Sequence, residues 1–278
     1  MTNITAADVN KLRQMTGAGM MDCKKALQEA NGDFEAAIDI LRKKGQKVAA
    51  KRADRDANQG YVVAGTTADQ TYAAVVMVNC ETDFVGKNEE FVQFAKDVLS
   101  AGIEAKVKDV AALLPLKIGS ITIEEKLNEM LGKTGEKVQI AHYEVIEAPR
   151  TFAYNHHGNR LATVIGINKA GVNSFDEIGR EIAMQVAAMS PVAVDVADVD
   201  QKTIDREIEI GKDQARQEGK PEDMLEKIAQ GKLNRFYKES TLLNQEFIRD
   251  NKKTVKQYLS EADKELTITG FRRLMLGA

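Results

Sequence analysis

At 278 residues the chain exceeds the roughly 100 to 200 residues of an ordinary single domain, so more than one core is expected. With 43% hydrophobic and 29% charged residues it is too apolar for a disordered chain, and no run approaches the roughly 18 apolar residues of a membrane span. The net charge of −3, from 39 basic and 42 acidic side chains, lacks the cationic excess that a phosphate backbone recruits, so a protein partner is expected before nucleic acid.

Thr5 with Asp8 three residues on makes a capping box, and Ile4 and Val9 occupy the two staple positions, which starts a first helix at Thr5. Gly17 and Gly19, around Ala18, stop it, because alternate glycines reach backbone angles closed to other residues. A second helix over 21–30 ends at Asn31 and Gly32. Asp33 caps a third, in which Phe34, Ala37, Ile38 and Leu41 repeat at helical spacing until Gly45. Residues 1–46 are therefore expected to form a small three-helix bundle of the ubiquitin-associated-like kind. Residues 47–59, with no large apolar side chain after Val48, read as a linker.

From Gly60 the period changes. Residues 60–64 and 71–80 are rich in Val and Tyr and suggest a hairpin, and after a break over 82–87 the residues Phe91, Phe94, Ala95, Val98 and Leu99 line one face of a helix capped by Asn88. A helix over 122–131 and a strand over 137–147 follow, leading to a turn at His156, His157 and Gly158. The order strand, loop, helix then recurs, with a strand over 161–167, a loop over 168–174, and Ile178, Ile182, Val186 and Met189 as a helical stripe. Charged helical segments over 200–218 and 222–229, broken at Pro221, predict a projecting helical hairpin within about 200–238. A helix over 252–262 and a strand over 266–276 close the chain. The expected fold is α+β: an N-terminal bundle, a first core subdomain over 60–148, and a second over 149–278 that duplicates the first and carries the hairpin.

Enzyme chemistry finds no support. Gly132-Lys133-Thr134 resembles the end of a phosphate-binding loop, but Leu127 stands where that loop needs its first glycine. No Ser, His and acid grouping carries a nucleophile motif, and His142, His156 and His157 have no metal-helix spacing. Cys23 and Cys80 suit neither a disulfide framework nor a zinc site and read as small buried apolar residues. No cofactor or metal is implied. The start, Met1 to Lys11, has no basic stretch leading into an apolar core, so a cytoplasmic location is expected.

One constellation stands out. Thr82, Asp83, Phe84 and Val85 lie between a buried strand and a helix whose cap comes later, which puts an aromatic in a connection, either as a core anchor or as a probe. The stretches GAGMMDCKKAL (17–27) and VNCETDFVGKN (78–88) resemble the two signatures of the elongation factor Ts family. HHGNR from His156, IAMQVAAMSP from Ile182 and KTVKQYL from Lys253 resemble later segments of the same family, so the likeness spans the chain. Met77 stands where the family commonly has Glu, and Gly86 where it commonly has Ala or Ser. The extra C-terminal helical module of some relatives is not expected, since the sequence reaches Ala278 soon after the last predicted strand.

The resemblance implies a guanine nucleotide exchange factor of translation elongation that binds elongation factor Tu in its GDP-bound and empty states, with no nucleotide, nucleic-acid or membrane site of its own. It implies that Asp83 and Phe84, with Thr82 and Val85, intrude beside the partner's magnesium and phosphate-binding region. It also implies that Gly17, Ala18, Gly19, Met20, Met21 and Asp22 grip the same partner, although bundle packing is the alternative for Met20 and Met21. His157 and Gly158 are a third expected contact, against a plain surface turn, and self-association through the helical hairpin is a further expectation. The rival is an adaptor that binds partners without altering nucleotide release.

Overall fold

The computed structural model describes residues 4–51, 54–171 and 174–277; residues 52 and 53 of the expected linker, and 172 and 173 of the expected loop, lie outside them. Helices α1 (Ala6–Thr16), α2 (Met20–Glu29) and α3 (Phe34–Lys51) enclose Val9, Leu12, Cys23, Ala26, Leu27 and Ala37. The Thr5 box forms at both ends, with the Asp8 amide donating to Thr5 Oγ1 at 3.2 Å and the Thr5 amide donating to the Asp8 carboxylate at 3.0 Å. Gly17, at φ 67°, ends α1 in the left-handed conformation. The expected stop at Gly45 is overturned, for α3 runs on to Lys51. Gly45 serves packing instead: a β-carbon there would stand 3.0 Å from the carbonyl oxygen of Asn128, on a later helix.

Strands β1 (Gln59–Thr66) and β2 (Tyr72–Cys80) pair antiparallel from Gln59 opposite Cys80 to Thr66 opposite Ala73. A helical turn α4 (Asp83–Gly86) leads to α5 (Glu89–Ala105), capped by Asn88, whose Oδ1 accepts from the Glu90 amide at 2.9 Å. After α6 (Val110–Leu113), the short pair β3 (Lys117–Ile118) and β4 (Ile121–Thr122), and α7 (Ile123–Thr134), strand β5 (Gln139–Glu147) pairs with β2, giving a sheet of order β1-β2-β5.

The second half repeats this plan. Strands β6 (Arg150–Asn155) and β7 (Leu161–Ile167) form a hairpin, α8 (Phe175–Met189) follows, and β10 (Ile268–Met275) pairs with β7 to give the order β10-β7-β6. Each sheet is thus a hairpin, a helix across it, and a third strand beside the hairpin's second. Between α8 and β10 the chain inserts the antiparallel helices α9 (Gln201–Gln217) and α10 (Leu225–Ser240), the strand pair β8 (Glu246–Phe247) and β9 (Asp250–Thr254), and α11 (Val255–Ala262). Helix α10 outlasts its expected end at Ala229, and α11 starts at Val255 rather than Lys252, because residues 250–254 pair as β9 and Thr254 supplies the cap.

Strand β2 is buried along its whole length, which explains its unbroken apolar run. On one face Tyr72, Ala74, Val76, Val78 and Cys80 meet Phe91, Phe94, Ala95, Val98 and Leu99 of α5. On the other, Ala73, Val75 and Met77 meet Ala162, Val164 and Leu274 of the second sheet and Leu276 just beyond it. Polar contacts fix this stacking at the β1 edge: the Asn155 side chain donates to the Ala64 carbonyl at 2.9 Å and accepts from its amide at 2.8 Å, and Val62 N donates to Asn159 O at 2.8 Å.

Candidate functional site

The chain leaves β2 at Cys80 and turns at once. The expected open connection over 82–87 is corrected, since Asp83–Gly86 is a helical turn with Thr82 as its cap. The Thr82 hydroxyl accepts from the Val85 amide at 3.5 Å and donates to Glu136 Oε1 at 2.6 Å, and the Thr82 amide donates to Glu136 Oε2 at 2.9 Å. Phe84 is 84% exposed, so it neither anchors the core nor folds back on its own helix. Val85 points the other way and packs, half-buried, against the first core. Gly86 is buried against Gly60, and Gly60 itself has φ 147°.

Asp83 carries a salt bridge to Lys87 at 2.6 Å, and the hydrogen bond from that ammonium holds the Asp83 carboxyl below the usual aspartate range. Behind the turn the Cys80 thiol donates to the Thr82 carbonyl at 3.1 Å. Burial, with the Glu136 charge adding to it, pushes that thiol up to about 12, so no thiolate nucleophile stands here at neutral pH. Among the described residues no group of three or more His, Cys, Asp or Glu side chains is placed to hold a metal ion.

The N-terminal residues make a second surface. Met20 and Met21 are 58% and 62% exposed, which overturns bundle packing as their role. They line a groove with Ile4, Val9 and Lys24. Gly19 stands exposed at the start of α2, Ala18 is half-buried, and the Asp22 carboxylate pairs with Lys44. Gly17 lies against the Lys133 side chain, and the Lys133 ammonium pairs with Glu90 at the start of α5, so the bundle meets the first core close to the Phe84 turn. The Gly132-Lys133-Thr134 segment is thus a docking point at the end of α7.

His157 and Gly158 sit at the exposed tip of the β6–β7 turn, with Gly158 at φ 83°. Gly158 and Arg160 line a groove with Gly60, Asp83, Gly86 and Lys87, so this turn flanks the one carrying Phe84. Beside it, His156 Nδ1 and Tyr154 Oη are 2.9 Å apart, while His142 is exposed on β5. Sequence reasoning missed Glu136, Lys87, Asn155 and Asn159. Only Lys87, four residues after Asp83, carried a local signal, since that spacing faces two side chains on a helical turn.

A family profile described as Elongation factor TS matches residues 81–278, beginning at the Phe84 turn. The chain is 50% identical over 277 residues to the elongation factor Ts of Christiangramia forsetii, covering 100% of both chains. It is 50% identical over 278 residues to that of Cytophaga hutchinsonii, covering 99% of this chain and 100% of the relative. Against that of Amoebophilus asiaticus it is 46% identical over 275 residues, covering 99% of each.

Proposed function

This chain belongs to the elongation factor Ts family of translation elongation factors, and from that premise we propose that it binds elongation factor Tu with GDP and promotes release of the nucleotide. The observation that carries the reading is Phe84: a bare aromatic ring at the front of a turn whose other residues are capped, paired or buried. An exposed ring on so constrained a mount is suited to enter a partner rather than to support its own fold. Asp83 beside it offers a carboxylate that competes for the donors organising a phosphate and its magnesium. The factor makes and breaks no covalent bond in this role and needs no nucleotide site of its own. Such a factor works in the cytoplasm, where its partner does.

Exchange is a coupling of two binding equilibria, so the factor must prefer the empty GTPase, and GDP must weaken the factor as much as the factor weakens GDP. A ten-thousandfold weakening requires about 5.5 kcal/mol of differential binding. Burying one Phe contributes about 1.5 to 3 kcal/mol, so other contacts share the work. The exposed Met20 and Met21 groove and the His157 turn are the surfaces we assign to it.

Release of a fluorescent GDP analogue from elongation factor Tu tests the reading, with wild type, Phe84→Ala and Asp83→Ala side by side. Wild type accelerates release and both variants lose most of that acceleration while staying folded. Binding without acceleration by wild type would make the protein an adaptor, and normal activity of both variants would move the exchange function to other residues.

A further inference from the structure

We propose that Glu136 is a positioning residue for nucleotide release, acting through Thr82 to hold the Phe84 turn in its projecting form; the proposal rests on the exchange reading above. Two chain segments cross at this point and trade carboxylates. Glu136 accepts from the Thr82 amide at 2.9 Å and the Thr82 hydroxyl at 2.6 Å, while Glu81, one residue before Thr82, accepts at 2.7 Å from the amide of Lys137, one residue after Glu136. Hydrogen bonds to an ionised acceptor are the strong kind, and because these run in both directions, neither segment can slide without breaking the bonds of the other.

The Thr82 cap depends on this clamp. With its proton given to Glu136, the hydroxyl presents only lone pairs to the turn, and its bond from the Val85 amide is long, at 3.5 Å. The orientation of the cap is thus set from outside the turn. Glu136 is itself placed by the end of α7: the Gly135 amide closes on the Leu131 carbonyl at 2.8 Å, the Glu136 amide donates to Thr134 Oγ1 at 3.2 Å, and Thr134 Oγ1 donates to the Met130 carbonyl at 2.8 Å. Helix α7 is also where the N-terminal bundle leans, through Gly45 on Asn128 and Arg42 beside Glu129 at 3.7 Å. A hydrogen-bonded path therefore runs from the end of α7 to the base of Phe84, and the N-terminal bundle packs against the helix that begins it.

Glu136 fills no core volume. It is half-buried, its contacts with the turn are polar, and the apolar seat of the turn is supplied by Val85 and Gly86 instead. Its role is preorganisation, which lowers the cost of ordering an element at the moment of binding.

The test measures fluorescent GDP release from elongation factor Tu over a range of factor concentrations, for wild type, Glu136→Ala, Glu136→Gln, Phe84→Ala and the double variant Phe84→Ala with Glu136→Ala, with a melting temperature for each. Glu136→Ala lowers the maximal release rate about tenfold and leaves the half-saturating concentration within about twofold, since two charge-assisted bonds are lost while the other contact surfaces remain. Glu136→Gln recovers most of the rate, because its amide oxygen still accepts from the Thr82 amide and its NH2 can donate to the hydroxyl. On the Phe84→Ala background, Glu136→Ala adds nothing, as it must if it acts through the ring. Wild-type release by Glu136→Ala alongside a slow Phe84→Ala would overturn the positioning role and leave the exchange reading standing, as would full multiplication of the two effects. Should Glu136→Ala melt early, the Gln variant and the double-variant comparison decide the matter. Failure of wild type to accelerate release would remove both proposals.

Discussion

Gly86 rests so close to Gly60 that a β-carbon on Gly86 would stand 3.2 Å from the Gly60 amide nitrogen. The two glycines are not equivalent in what they forbid. A β-carbon on Gly60 would lie 2.0 Å from the Val78 carbonyl oxygen, at a φ of 147° that other residues avoid. Gly60→Ala is therefore expected to destabilise by more than about 2 kcal/mol. Gly86→Ala asks only for a small outward shift of an edge strand and stays within about 1 kcal/mol. Urea denaturation midpoints at matched slopes check both, and a Gly86→Ala loss as large as that of Gly60→Ala would contradict the packing described for the turn.

Replacing Met20 and Met21 together with Ser should leave stability within about 0.5 kcal/mol, because neither side chain is in the core. Leu12→Ala in the same bundle, where Leu12 is fully buried, should cost about 2 to 5 kcal/mol. If the groove is a contact surface, the double Ser variant weakens binding to elongation factor Tu by about tenfold or more in calorimetric titration. Unchanged affinity, or an unweakened complex after deletion of residues 1–50, would remove the bundle from the interface.

The Asp83–Lys87 pair has a definite pH signature. The folded-state value of Asp83 is lowered, first by the hydrogen bond from Lys87, so its contribution is present above the ordinary aspartate value and is lost as pH falls through the folded one. The pair is fully formed at neutral pH. A carbon-13 NMR titration should place the Asp83 midpoint below that of a free aspartate in wild type and return it toward the ordinary value in Lys87→Met. An ordinary midpoint in wild type would mean that the pair does not persist in solution.

Cys80 makes the opposite prediction at high pH. Its folded thiol is pushed up to about 12, whereas an unfolded thiol ionises near about 8.5. Between those values unfolding releases a proton, so stability falls as pH rises, and Cys80→Ala should flatten that decline. At pH 8 the native thiol should react with a disulfide reagent only as fast as the protein opens. Rapid labelling of Cys80 in the native state would refute the burial that sets its chemistry.

Features written in neighbouring residues were legible in the sequence. The Thr5 and Asp8 box, the Asn88 cap and the turn at Gly32 need only local chain, and the Val- and Tyr-rich composition of residues 71–80 was enough to read a buried strand, though not that both of its faces are covered. Phe84 could be singled out because an aromatic in a connection is unusual, but its exposure depends on where Val85 and Gly86 find their seat. What failed depended on partners far along the chain. Gly45 looked like a helix stop and is a close approach to Asn128; Lys252 looked helical until β8 and β9 paired; and Glu136 became meaningful only when α7 delivered it to Thr82. The four-residue helical turn capped by Thr82 was likewise hidden by the stronger cap at Asn88.

Strand β2, held between α5 on one face and the second sheet on the other, is freed only when both layers separate. Its amides should accordingly exchange with deuterated solvent through opening of the whole molecule rather than by local fraying. Phe84 stands just beyond the end of that strand, so a load on the ring passes into a strand packed on both faces. Under the exchange reading proposed above, the ring is thus carried on a mount that resists being pushed back into its own fold.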